Sequence, residues 1–254
     1  MRSPDTATSC TPGGRVVKNV AGFDLVRLYT GSWGTLGPIT SLTVRLRALP
    51  AHDITLALAV PDPARLPALF TGLRSHALSL LACEWIDGGT ARAIGAGIAT
   101  DAVLVRIGGN DGFVRGQRAT LETLGACQVV DPAVWGALAQ CDASASAVVR
   151  VSGTVSGLPQ RIARLRDALA PTGAHIALHA TVGRGIVRVI VTGDPDGVRT
   201  ALQSSVDGEQ RIPERLPTTW WATEPDPYRG GLAGRIRLAF DPHLLCNRRV
   251  AIDA

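Results

Sequence analysis

The strongest constraint on the fold is a glycine-rich stretch at residues 13–46, GGRVVKNVAGFDLVRLYTGSWGTLGPITSLTVRL. Gly31, Gly34 and Gly37 recur at intervals of three, and glycine lets a backbone turn tightly and approach a ligand closely. Apolar and polar residues then alternate over residues 42–47, a pattern that predicts a half-buried β-strand. The stretch therefore predicts a glycine-rich loop that leads into a strand.

From the residues alone, two interpretations of the string GSWGTLGPIT stay open. It is either a tight turn before a strand, or a loop whose backbone N–H groups hold phosphate oxygens. Ser32 and Thr35 would add hydroxyl groups to such a loop. The string does not end in GK[ST], so it is not a Walker A loop, and it does not match GxGxxG at the start of a helix.

The block GGRVVKNVAGFDLVRLYTGSWGTLGPIT, residues 13–40, resembles part of the vanillyl-alcohol-oxidase-like FAD-linked oxidases, which carry GGRxxKNxxGYDLxRLxxGSxGTLGxIT. Within that family it is most similar to the FAD-binding subunits of bacterial glycolate oxidases. Phe23 stands where a tyrosine is usual, Trp33 where a small or acidic residue is usual, and Pro38 where valine or isoleucine is usual. The resemblance implies a PCMH-type FAD-binding domain and the cofactor FAD.

The resemblance also implies a set of cofactor-binding residues, while no catalytic residue is assigned. The implied set is Lys18, Asn19, Gly31, Ser32, Gly34, Thr35, Gly37, Ile39 and Thr40. Lys18 is the only lysine of the chain, so it either places a positive charge near the flavin or a substrate carboxylate, or is a solvated surface side chain.

After residue 50, strand and helix patterns follow in the order β-α-β-β-α and then repeat that order. The helix after residue 63 has a stripe of apolar residues at i, i+3, i+4 and i+7, formed by Leu66, Leu69, Phe70 and Leu73. Such units predict an open, largely antiparallel sheet with helices on one face. Residues 211–227, which contain four prolines, are predicted to form a loop, and residues 231–240 a final helix.

The predicted fold class is α+β, with three parts. Residues 1–50 are expected to be a C-terminal remnant of the FAD-binding domain, residues 51–215 a ferredoxin-like cap domain, and residues 216–254 a tail that returns to the FAD domain. In the family the FAD domain begins further upstream, so a misplaced start, a gene fragment and a subunit that lost the cofactor all stay open. The ending FDPHLLCNRRV resembles the family's FDPxxxLNPGR, but Arg248 and Arg249 replace its Pro-Gly, which weakens an expected contact with FAD.

Composition excludes several other classes of function. The net charge of +5 comes from scattered arginines without interleaved aromatic residues, so no nucleic acid partner is expected. The five cysteines form no CxxC pair, which argues against a disulfide scaffold, an iron–sulfur cluster or a zinc site and favours a reducing cytoplasm. The sequence shows no signal-peptide pattern. It also contains no apolar run of the roughly 20 residues that a transmembrane helix needs.

No metal site is predicted either. His175 and His179 lie on a predicted strand, where four residues span about 13 Å, which is too far for them to share a metal. The HxHxGDGN motif of related 2-hydroxy-acid dehydrogenases is also absent.

The expected function, by resemblance, is an FAD-dependent oxidoreductase subunit that oxidises a small 2-hydroxy acid, glycolate to glyoxylate. Its expected partners are a catalytic flavoprotein and an iron–sulfur subunit of a glycolate oxidase, with a cytoplasmic location and contact with the inner membrane only through those partners. The alternative is a non-catalytic structural subunit or truncated fragment that does not retain FAD.

Overall fold

The structure is a computed structural model that describes residues 10–12, 24–205, 209–221, 224 and 231–247. Its internal contacts divide the chain into two compact units. The first unit comprises Met1–Ala48 and Pro225–Val250, and the second comprises Leu49–Glu224 and Ala251–Ala254. The glycine-rich string belongs to the first unit, and the repeated β-α pattern belongs to the second.

The described residues contain eight strands and nine α-helices. The strands are β1 His52–Val60, β2 Leu80–Ile86, β3 Asp101–Gly109, β4 Cys127–Val130, β5 Ala147–Ser152, β6 His175–Thr181, β7 Ile186–Thr192 and β8 Gln210–Arg215. The helices are α1 Leu25–Tyr29, α2 Leu66–Ser75, α3 Gly88–Ala93, α4 Asp111–Leu124, α5 Ala133–Ala139, α6 Leu158–Leu169, α7 Asp196–Ser204, α8 Thr218–Trp221 and α9 Gly231–Phe240.

All eight strands of the second unit form one antiparallel sheet, in the order β4-β1-β3-β2-β6-β7-β5-β8. In the first half, which comprises β1 to β4, strand β1 lies between β4 and β3, and β2 lies at the centre of the sheet. In the second half, which comprises β5 to β8, strand β5 lies between β8 and β7, and β6 lies at the centre. The two halves are therefore copies of one β-α-β-β-α-β unit, joined where β2 pairs with β6. The predicted α+β class, with a largely antiparallel sheet, is confirmed.

Helix α2 shows how the apolar pattern becomes packing. Its four buried residues are Leu66, Leu69, Phe70 and Leu73, the stripe predicted from the sequence. Burial of each such side chain stabilises the fold by about 1.5–3 kcal/mol. Asp62 caps the short 3-10 turn before the helix by accepting a hydrogen bond from the N–H of Ala64, 2.9 Å away.

Helices cover both faces of the sheet, so the prediction of helices on one face was wrong. Trp85 and Ile86 of β2 point to opposite faces because side chains alternate along a strand. The guanidinium of Arg166 in α6 lies 5.3 Å from the centre of the Trp85 ring. Ile86 instead packs in a core cluster with residues of α3 and α5, including Ala91 and Leu138. Part of the reason is that helix α3 was not predicted, because its sequence GGTARA has no apolar stripe at helical spacing.

The predicted half-buried strand over residues 42–47 is not present. Residues 41–49 form no strand and are exposed. The exposed fraction is 70% for Leu42 and 83% for Leu46. A strand requires a hydrogen-bonded neighbour, and no described residue pairs with this segment.

The predicted loop at residues 211–227 was also wrong in part, because β8 occupies residues Gln210–Arg215 and pairs with β5. Pro213 lies within this strand and lacks a backbone N–H to donate. Since β8 is the edge of the sheet, a proline is tolerated there. The final helix was confirmed as α9.

Candidate functional site

Helix α1 positions the glycine loop, which we define as residues 31–40. Asp24 caps the start of α1, where its carboxylate accepts a hydrogen bond from the N–H of Arg27, 3.1 Å away. The helix ends at Tyr29, whose carbonyl oxygen accepts from the N–H of Ser32 at 3.1 Å. The N–H and the hydroxyl of Thr35 both donate to the Ser32 carbonyl oxygen, at 2.9 and 2.6 Å. These bonds fold residues 29–35 into consecutive tight turns.

The loop backbone explains why glycines stand at its turning points. Gly31, Gly34 and Gly37 have φ values of +80°, +71° and +152°. Side-chain-bearing residues rarely adopt such values, because the Cβ atom meets the backbone. Trp33, with φ of +54°, is a non-glycine residue in the same region. Backbone conformations of this kind cluster at ligand sites.

Several backbone N–H groups of the loop have no acceptor among the described residues. They include the N–H groups of Gly34, Leu36 and Gly37, and Leu36 is 8% exposed. Backbone N–H groups are strong donors that are normally paired when buried. Successive N–H groups in turns with left-handed residues make concavities that bind anions. The loop can therefore hold phosphate oxygens without a basic side chain.

The C-terminal part of the first unit binds the same loop through Asn247. The side-chain nitrogen of Asn247 donates to the carbonyl oxygen of Trp33 at 3.0 Å, and its backbone N–H donates to the carbonyl oxygen of Gly34 at 3.2 Å. The carbonyl oxygen of Asn247 accepts from the guanidinium of Arg237 in α9, 3.0 Å away. Two carbonyl groups of the loop are thus turned towards Asn247.

Asp241 shapes the turn that carries Asn247. Its two carboxylate oxygens accept from the N–H groups of Leu245 and Cys246, both at 2.8 Å. Burial alone would raise the pKa of Asp241, but these backbone N–H groups, assisted by the thiol of Cys246 and the charge of Arg237, hold its pKa below the usual range. The ionised carboxylate is therefore the form that holds this turn.

An aromatic contact adds to the attachment of α9. The rings of Tyr29 and Phe240 meet edge to face with centroids 5.7 Å apart. A Cβ atom at Gly37 would lie 3.7 Å from the ring of Tyr29, so the loop passes close to this pair. Burial, followed by the neighbouring thiol of Cys10, raises the pKa of Tyr29, so its hydroxyl stays protonated at neutral pH.

The structure brings most of the sequence-predicted residues together in one loop. The members within it are Gly31, Ser32, Gly34, Thr35, Gly37, Ile39 and Thr40. Lys18 and Asn19 lie outside the described residues. Thr35 is 4% exposed and its hydroxyl is used inside the turn, whereas Ile39 is exposed at the end of the loop. Asn247 and Asp241 were not predicted as site residues, although the match of FDPHLLCN to a family ending was a signal for them.

The described residues contain no group of three or more histidine, cysteine, aspartate or glutamate side chains arranged to hold a metal ion. His175 and His179 lie on β6, as predicted. The ring of His179 lies between Glu84, 3.6 Å from its Nδ1, and Arg188, 3.5 Å from its Nε2. In the part of the chain that the structure covers, no helix has the length and apolar character needed to span a membrane.

Comparison with known proteins gives matches over a short segment of sequence. No protein-family profile matches the chain. A mitochondrial D-lactate dehydrogenase [cytochrome] of Arabidopsis thaliana is 47% identical over 47 residues, which is 18% of this chain and 8% of that protein. Glycolate oxidase subunit GlcE of Escherichia coli is 46% identical over 44 residues, 17% of this chain and 13% of the subunit. Subunit GlcD of Bacillus subtilis is 50% identical over 44 residues, 9% of its length.

Solved structures match over most of the chain, at low sequence identity. An alkyldihydroxyacetonephosphate synthase matches with a TM-score of 0.56 and 13% identity over 91% of this chain and 50% of its own. A p-cresol methylhydroxylase matches with a TM-score of 0.51 and 13% identity over 80% of this chain and 53% of its own. The chain therefore spans about half the length of these structures. Together the matches support the FAD-linked oxidase family and the α+β fold of its PCMH-type members.

Proposed function

We propose that this chain is an FAD-binding oxidoreductase subunit and that the glycine loop holds the phosphate groups of FAD. The unpaired N–H groups of Gly34, Leu36 and Gly37 carry this proposal. They offer donors that suit the oxygens of a diphosphate, and the positive φ values of the loop glycines leave no side chain in the way of a close approach. The local sequence matches to a D-lactate dehydrogenase and to a glycolate oxidase subunit support it.

In this proposal each part of the site has a separate task. Gly31, Gly34 and Gly37 shape the loop, and Asn247 holds its carbonyl groups away from the cofactor. Ser32, Ile39 and Thr40 line the rest of the cofactor site, and Lys18 and Asn19 approach it from the preceding segment. Bound FAD would supply the two-electron acceptor chemistry, while the protein supplies orientation and electrostatics.

We propose a small 2-hydroxy acid, glycolate, as the substrate, with electrons leaving through a catalytic flavoprotein and an iron–sulfur subunit of a glycolate oxidase. Residues 1–50 and the tail 216–254 would belong to the flavin domain, and residues 51–215 would form the substrate domain. The names of two of the matched proteins support this choice, since both are glycolate oxidase subunits. We place the assembly in the cytoplasm.

Anaerobic reduction tests the proposal. The purified chain is loaded with FAD, desalted, and mixed with glycolate under argon while flavin absorbance is followed. Glycolate-dependent bleaching supports the activity, and D-lactate and glycerate serve as alternative substrates. Retained flavin that no 2-hydroxy acid bleaches, even after addition of the partner subunits, would contradict the substrate assignment and leave cofactor binding intact.

A non-catalytic structural subunit is the second candidate, and one observation favours it. Among the described residues of the first unit, Leu36 is the only buried hydrophobic side chain. The described residues of this unit therefore offer little apolar enclosure for a flavin ring. A folded chain that binds the partner subunits but retains no FAD would support this candidate over the first.

A further inference from the structure

Trp33 combines a strained backbone with a large aromatic side chain in the middle of the glycine loop. Its φ is +54°, and among the residues that the structure describes only Leu244 is another non-glycine residue with a positive φ. A side chain in this region brings its Cβ atom close to the following carbonyl oxygen, a cost that glycine avoids. Backbone outliers of this kind cluster at ligand sites. The presence of tryptophan where glycine would fit better indicates that the indole side chain has a role of its own.

The peptide group that joins Trp33 to Gly34 is held in one orientation. Its carbonyl oxygen accepts a hydrogen bond from the side-chain nitrogen of Asn247 at 3.0 Å. The described residues contain no cis peptide bond, and the C=O and N–H of a trans peptide point in opposite directions. The bond to Asn247 therefore turns the N–H of Gly34 away from Asn247. Because that N–H is one of the donors proposed for the diphosphate, Trp33 is the immediate neighbour of the proposed anion site.

Trp33 also differs from the other aromatic residues of the first unit. The described residues of that unit include three aromatic side chains, those of Tyr29, Trp33 and Phe240. The rings of Tyr29 and Phe240 pack against each other, with centroids 5.7 Å apart, whereas Trp33 is 38% exposed. Flat heterocyclic bases stack on aromatic side chains of this kind, because every base has a π-face. An aromatic ring joined to a diphosphate is therefore the ligand chemistry that suits this position.

We propose that Trp33 stacks on an aromatic ring of the bound flavin dinucleotide while the adjacent N–H groups hold its diphosphate. This inference rests on the proposed function of the glycine loop as the phosphate site for FAD. FAD carries two such rings, adenine and isoalloxazine, and the same stacking chemistry suits either. A small or acidic residue is usual at this position of the family block, so the stacking contact would be a property of this chain.

The affinity of the full 254-residue chain for FAD, measured by equilibrium dialysis, tests the proposal. Trp33→Gly removes the indole and fits the positive φ, whereas Trp33→Phe keeps an aromatic ring. We expect the first variant to raise the dissociation constant for FAD about tenfold or more, and the second to raise it less than about threefold. Leu244→Gly is the matched control. It relieves a φ of +52° at a residue 39% exposed in the same unit, and should leave the affinity for FAD unchanged.

Three smaller probes separate stacking from the shape of the loop. ADP carries the adenine ring, FMN carries the isoalloxazine ring, and inorganic pyrophosphate carries no ring. Trp33→Gly should weaken the binding of ADP if adenine stacks on Trp33, and the binding of FMN if isoalloxazine does. Its affinity for pyrophosphate should stay within about twofold of the wild type, because the N–H donors are unchanged.

The possible failures of this inference and of the proposed function are distinguishable. Equal FAD affinity in the wild type and in Trp33→Gly would overturn the stacking contact and leave the phosphate site in place. A parallel loss of affinity for ADP, FMN and pyrophosphate would also overturn it, because Trp33 would then act through the shape of the loop. A folded wild-type chain that binds no FAD would contradict the proposed function itself, and the stacking contact with it.

Discussion

Asn247 donates its side-chain amide to the carbonyl oxygen of Trp33 at 3.0 Å, across 214 positions of sequence. This bond, together with that from its backbone N–H to Gly34, joins the C-terminal turn to the glycine loop. The loop is thus held by its preceding helix on one side and by a distant turn on the other. Its shape depends on tertiary contacts as well as on its glycines.

Replacement of Asn247 by alanine should weaken FAD binding without unfolding the second unit. The change removes one side-chain hydrogen bond, which contributes about 1 kcal/mol, so we expect about a fivefold rise in the dissociation constant. Titration with FAD, followed by quenching of flavin fluorescence, measures it. Asn110→Ala is the matched control: it removes the cap of α4 and should lower stability while leaving FAD affinity unchanged. Equal loss of affinity in both variants would contradict the role of Asn247.

Replacement of Gly37 by alanine should also reduce FAD retention. Its φ of +152° suits glycine alone, and a left-handed or similar backbone costs other residues about 1–3 kcal/mol. The loop would relax to a different conformation and misplace its N–H groups. Gly193→Ala, at φ of +92° in the second unit, imposes a comparable strain where no atom crowds the new Cβ. Equilibrium dialysis with FAD should show a loss for the first variant only, and a normal flavin content in Gly37→Ala would count against the loop as the phosphate site.

Two arginines that share one carboxylate should differ greatly in their effect on stability. Arg161 is 1% exposed and donates to Glu209 and to the carbonyl oxygen of Gly185, at 2.8 and 2.9 Å. Arg164 also pairs with Glu209, at 2.8 Å, but its side chain is half exposed. Arg161→Ala removes a buried guanidinium that donates both to Glu209 and to the carbonyl oxygen of Gly185, and should lower the free energy of unfolding by about 3 kcal/mol. Arg164→Ala should lower it by about 1 kcal/mol or less in urea titrations, and similar losses would refute the assignment.

The turn around Asp241 should respond to acid. Because its folded-state pKa lies below the ordinary value of about 3.9, its contribution is complete above that value and is lost as the pH falls through the folded-state pKa. FAD affinity should therefore be insensitive to this group from pH 5 to 8 and should decline below about pH 4. Asp241→Asn should show reduced affinity already at pH 7, with less further change on acidification. Stopped-flow release of FAD at each pH measures the effect, and an unchanged acid profile in the variant would exclude Asp241 as its origin.

The periodic spacing of apolar residues predicted those elements whose hydrogen bonds join residues close in sequence. The stripe of Leu66, Leu69, Phe70 and Leu73 became the buried face of α2 because a helix makes its own hydrogen bonds. Strand β8 was not predicted because it contains Pro213. A proline is compatible with a strand only at the edge of a sheet, and which strand forms the edge depends on how the whole sheet assembles. Helix α3 was missed because its glycines carry no apolar pattern, although Asp87 caps it.

The candidate site was predicted in part for the same reason. The glycines of the loop are visible in sequence because positive φ values demand them. The hydrogen bond from Asn247 to the loop joins residues that are more than 200 positions apart in the sequence. No periodic pattern in the sequence predicts such a contact. The segment at residues 42–47 shows the opposite case, since its pattern predicts a strand while the described residues supply no neighbour for it.

The visible absorption spectrum of the purified chain, after incubation with excess FAD and desalting, tests the central claim most directly. We predict a retained flavin spectrum near one equivalent per chain in the wild type and a reduced amount in Gly37→Ala and Asn247→Ala. A colourless protein whose circular dichroism shows a folded sheet and helices would contradict the claim that the glycine loop holds FAD.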